Sequence, residues 1–77
     1  MNTIQTEWIS FAEQCIPNDA PLIQLQETKR AFYAGALKTV FLVEKTSEYD
    51  DATAQLMVNT ICDELSQFQK DVEEGHA

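Results

Sequence analysis

Residues 27–43 read as the middle of one long helix that is apolar on almost every side. A helix on the outside of a small monomer shows one apolar stripe and one wet face. Here Leu22, Leu25, Phe32, Ala36, Val40 and Val43 make one stripe, and Ile23, Ala34, Leu37 and Phe41 make another. Ala31, Gly35 and Leu42 remain on the opposite side. Such a helix calls for protein on more than one side, and a chain of 77 residues has room for one domain only. The expectation is an all-α fold that assembles into a helical-bundle homo-oligomer.

Glycine and proline punctuate the rest. Pro17 restricts Ile16 to extended backbone and ends a first helix over about residues 3–15, capped by Asn2 or Thr3. Its Ile4, Trp8, Phe11, Ala12, Cys15 and Ile16 recur at helical spacing. Asp19 is a suitable N-cap for the second helix, and Pro21 fits its first turn. That helix reaches Lys45, so it covers about 26 residues and about 39 Å. A polar turn follows at residues 46–51. The third helix spans about 51–73, with Ala54, Val58, Ile61, Leu65, Phe68 and Val72 in register and Asp50 and Asp51 favouring its N-terminus. Asp71, Glu73 and Glu74 oppose the dipole at its far end, so residues 74–77 are expected to be a mobile tail. Together the pattern predicts a short N-terminal helix and a long antiparallel two-helix hairpin.

Ala31, Gly35 and Thr39 are spaced by four and line one edge of the central helix. Small residues in such a row let another backbone come close, from within the chain or from a second subunit. Cys15 and Cys62 fall on apolar faces and read as small core residues in a reducing cytosol. No basic and apolar leader pattern is visible. No run approaches the roughly 20 apolar residues that span a bilayer, so a soluble protein with no membrane partner is expected.

The formal net charge of −8 is unevenly spread. Residues 1–19 carry three acids and no base. Residues 20–46 carry four bases against two acids. Residues 47–77 carry eight acids against Lys70. That balance repels a double-stranded nucleic-acid backbone. Only the central segment attracts an anion. Lys29 lies within an apolar arc, Arg30 sits beside it, and Tyr33 follows one turn later. A snorkelling lysine accounts for Lys29 structurally. A Lys29–Arg30–Tyr33 site accounts for it functionally, with the cations on a phosphate and the phenol ring on a base or sugar. The acidic face of the third helix, including Asp63, Glu64 and Asp71, is either a solvated surface or a phosphate mimic for a basic groove on another protein.

Catalytic machinery is not expected. The one histidine, His76, lies in the tail. No nucleophile has a visible base partner, and there is no phosphate loop, paired Cys motif, metal-spaced His/Glu set or calcium loop. The reading is a non-enzyme with no cofactor, no catalytic residue and no metal site.

The run Pro21-x3-Leu25-x-Glu27-Thr28-Lys29-Arg30-Ala31-Phe32-Tyr33-Ala34-Gly35-Ala36 resembles a segment of small helical accessory proteins of tailed phages. The architecture is also similar to the phage helical-hairpin proteins that sequester cyclic-oligonucleotide immune signals. In that group sites form between subunits, from an aromatic and a basic residue on facing helices. The resemblance implies ligand-binding candidates Lys29, Arg30, Tyr33 and Trp8, and a counter-defence protein working in the cytoplasm of an infected bacterium. Two other functions stay open: an acidic inhibitor that docks on a host defence protein, and a structural phage accessory protein.

Overall fold

The computed structural model describes residues 1–77. It is all-helical, without a strand: α1 spans Ile4–Cys15, α2 spans Leu22–Lys45 and α3 spans Asp51–Glu73. A single 3-10 turn, Thr46–Glu48, separates α2 from α3. Backbone contacts divide the chain into two compact units, Met1–Val40 and Phe41–Ala77.

The first unit begins at a reciprocal cap. Thr3 accepts from the Thr6 amide at 3.2 Å, and the Thr6 hydroxyl oxygen accepts from the Thr3 amide at 2.8 Å. Thr3 is therefore the cap, and Asn2 lies outside it. Ile16 is extended ahead of Pro17, as the proline ring requires, and α1 stops there. Pro17 to Ala20 then form a turn closed by the Ala20 amide on the Pro17 carbonyl at 3.1 Å. α2 starts at Leu22, two residues later than the sequence predicts. The Pro21 carbonyl accepts the first helical bond, from Leu25 at 3.2 Å. Pro21 thus stands at the cap position, and Asp19 is spent in the loop.

Trp8 is the one buried apolar residue of the chain, at 6% exposure. Its ring lies 5.5 Å from Phe32 and 6.0 Å from Phe11, and Phe11 lies 5.3 Å from Phe32, centroid to centroid. Tilted and edge-on rings at these spacings are favourable geometry for aromatic pairs. This cluster holds α1 on α2. Ala12 of α1, Ile16 just beyond its end, and Thr28 and Ala36 of α2 are half-buried as well.

In the second unit, the Asp50 carboxylate accepts from the Thr53 amide at 2.7 Å and caps α3. Thr46 is buried, and its hydroxyl donates to the Val43 carbonyl at 2.7 Å. α3 packs on the 3-10 turn through its first half, where Ala54, Met57, Val58 and Ile61 are half-buried. Its far half keeps Leu65 and Phe68 exposed.

Two further expectations differ from the structure. The end of α3 is closed rather than frayed. Gly75 is left-handed at φ 78°, its amide donates to the Val72 carbonyl at 3.1 Å, and the His76 amide donates to the Asp71 carbonyl at 2.8 Å. This pair of bonds is a Schellman motif, which satisfies carbonyls that the unfavourable charges leave in place. Cys15 and Cys62 are free and exposed rather than core residues, because no element covers the faces that carry them.

Candidate functional site

The site is built on α2 by helical periodicity. Gln26, Arg30 and Tyr33 recur at i, i+4 and i+7, so they form one row, and Lys29 sits at its edge. α1, held by the Trp8–Phe11–Phe32 cluster, brings Gln5 alongside. The result is a cleft of about 580 Å³ lined by Gln5, Gln26, Lys29, Arg30 and Tyr33.

The Lys29 ammonium lies 5.9 Å from the centre of the Tyr33 ring, at the outer limit of a cation–π contact. Tyr33 is half-buried and its ring stands 6.2 Å from Phe32, edge to face. The aromatic cluster therefore borders the ring that faces the cleft. Arg30 donates to Glu27 at 3.1 Å in an i, i+3 pair, with both side chains mostly exposed. Such a pair contributes a few tenths of a kcal/mol, so an incoming anion displaces Glu27 from Arg30 at little cost.

Three of the four ligand candidates named from the sequence meet in this cleft: Lys29, Arg30 and Tyr33. Trp8 does not line it. Its ring is spent on Phe11 and Phe32 at 6% exposure, which leaves no open face for stacking. The site is accordingly read without Trp8. Gln5 and Gln26 join it instead. The i, i+4, i+7 row was the available signal for Gln26. Gln5 depends on how α1 docks, and a lone surface glutamine carries no periodic signal of its own.

The small-residue row of α2 is open. A Cβ built on Gly35 meets nothing within 4 Å, and the Thr39 hydroxyl donates back to the Gly35 carbonyl at 2.9 Å. The close approach that a glycine permits is therefore unused at Gly35 within the chain.

A second depression adjoins the first. Ile4, Tyr33, Ala36, Leu37 and Val40 line an apolar groove of about 210 Å³, and Tyr33 is common to both. Elsewhere, no three His, Cys, Asp or Glu side chains gather as metal ligands. No helix is long and apolar enough to cross a membrane. In comparisons with known proteins, no family model, no curated protein and no solved structure matches the chain.

Proposed function

We propose that the protein binds and sequesters a small anionic ligand of the cyclic-oligonucleotide type, as a phage-encoded counter-defence factor in the bacterial cytoplasm. The observation that carries this reading is the meeting of Lys29, Arg30 and Tyr33 in one cleft. Two cations suit a phosphate, and a phenol ring beside them suits a base or sugar. Gln5 and Gln26 add amide donors and acceptors for groups on the ligand. The proposed task is binding, for which a lining of two cations, a phenol and two amides is suited. The phage assignment rests on the resemblance of residues 21–36.

In this reading α2 and α3 work as an antiparallel hairpin within a homo-oligomeric helical bundle. The open Ala31–Gly35–Thr39 row is its edge of closest approach. Calorimetry of the folded protein against a panel of cyclic di- and trinucleotides tests the proposal. At least one member binds the wild type, and Lys29→Glu abolishes that binding. Failure of every member to bind sinks the reading.

A second reading has its own observation. Residues 41–77 carry nine acids against Lys45 and Lys70, and Leu65 and Phe68 lie exposed among them on α3. This mixture suits an inhibitor that occupies a basic groove on a host defence protein. Charge reversal at Asp63, Glu64 and Asp71 then abolishes capture of that partner while Lys29→Glu does not. The opposite pattern decides for the anion site.

A further inference from the structure

Lys29 and Arg30 are neighbours in the chain, yet each meets a different partner. Successive residues of a helix do not face each other, because each turn takes about 3.6 of them. Arg30 reaches back one turn to Glu27, at 3.1 Å. The Lys29 ammonium makes no ion pair and lies 5.9 Å from the centre of the Tyr33 ring. Both cations nevertheless line one cleft. The cleft therefore has two cationic points, one already answered by a carboxylate and one not. Its volume of about 580 Å³ falls in the roughly 300–1,000 Å³ range of small-molecule sites and far exceeds what a single phosphate fills.

We propose that the cleft takes a ligand with at least two phosphate groups, one on Lys29 and one on Arg30, and that Glu27 determines its specificity by competing for Arg30. The proposal rests on the anion-site reading above and narrows its ligand class. Glu27, Lys29, Arg30 and Tyr33 all stand on α2, so one helix sets their spacing.

A ligand with one phosphate settles on Lys29, where no carboxylate opposes it. Moving to Arg30 brings it little, because it exchanges one charge-assisted bond for another and leaves the Glu27 carboxylate unpaired beside the new anion. A ligand already anchored on Lys29 presents its second phosphate to Arg30 at the high effective concentration of an intramolecular contact. Glu27 takes a single bond from a guanidinium that offers several donors. A phosphate takes two in parallel, so the exchange then favours the ligand.

The test is calorimetry with whichever cyclic di- or trinucleotide binds wild type, set against the cyclic mononucleotide of a base it contains, which carries the same phosphodiester once. The mononucleotide is expected to bind at least roughly tenfold more weakly. Lys29→Met and Arg30→Met each bring the larger ligand down to the mononucleotide level. Glu27→Gln tightens the larger ligand about twofold to threefold, the size of one exposed ion pair, and does nothing when Arg30→Met is also present. The Arg30 and Glu27 side chains are 74% and 60% exposed, so the variants fold, and helical circular dichroism checks it.

Equal affinity for the two ligands, an Arg30→Met variant with unchanged affinity, or a Glu27→Gln effect that survives Arg30→Met overturns the proposal and leaves the anion-site reading standing. If no nucleotide binds wild type, that reading falls and the two-phosphate ligand falls with it. Inorganic phosphate then decides the Glu27 claim alone. The Arg30 Nε–H resonance should shift at lower phosphate in Glu27→Gln than in wild type, and identical titrations overturn the competition.

Discussion

Asp50 holds the start of α3 through one hydrogen bond from the Thr53 amide, with a second contribution from the Thr53 hydroxyl, and these lower its pKa from the ordinary 3.8. A depressed carboxylate pKa contributes stability that is fully present above the unfolded value and is lost as pH falls through the folded one. The window therefore opens near 3.8 and extends downward. Asp50→Asn keeps a capping oxygen and removes the titration. Its melting temperature should fall less steeply than that of wild type as the pH drops below this point, and parallel curves would refute the assignment. The two glycines make a contrasting pair. Gly35→Ala fills space that is open within the chain and removes a helix-interior glycine, so an uncovered row gains about 1 kcal/mol, whereas a row on which a second subunit's backbone lies, as proposed above, loses stability. Gly75→Ala forces a side chain into left-handed backbone at the close of α3 and should cost about 1 kcal/mol or more. In thermal melts Gly75→Ala should fall below wild type, and a Gly35→Ala variant that rises above it would count against a subunit contact along that row.

α1 illustrates how an element's role differs from its pattern. Its boundaries were legible because local chemistry sets them: Thr3 and Thr6 close one end and Pro17 the other. Its apolar face was legible too, since Trp8, Phe11, Ala12 and Ile16 follow a single period. What periodicity could not decide was which aromatic residue is packed and which is left for a ligand. That depends on the partner helix, where Phe32 takes the Trp8 ring and Tyr33 is left at the cleft. The closure of α3 by Gly75 was missed for a related reason. Reading Asp71, Glu73 and Glu74 by charge alone favours fraying, but two backbone hydrogen bonds outweigh exposed charges that water already screens. The packing role of Trp8 has a direct consequence. Trp8→Ala should cost about 3 kcal/mol and release α1 from α2. Amide hydrogen exchange should then lose protection across residues 4–15 while α3 keeps its own. Unchanged protection in α1 would mean that the aromatic cluster is not what holds it.

At the scale of the molecule, charge and apolar surface act against each other. Thirteen acids face five bases, and the ion pair of Arg30 with Glu27 is exposed, as is the His76 ring that lies 3.7 Å from the Glu74 carboxylate. Such pairs contribute little, and salt weakens them. Self-repulsion among the acids is the opposing electrostatic effect, and salt weakens that as well. The two effects predict opposite responses, so the sign of the response identifies the dominant one. Raising sodium chloride from about 0.01 M to about 0.1 M shortens the screening length from roughly 30 Å to roughly 10 Å. With repulsion dominant, the melting temperature should rise over that range. The rise should be smaller in a variant with Asp63→Asn and Glu64→Gln, which removes two of the nine acids of residues 41–77. A melting temperature that falls with salt would show that Arg30–Glu27 and its like outweigh the repulsion.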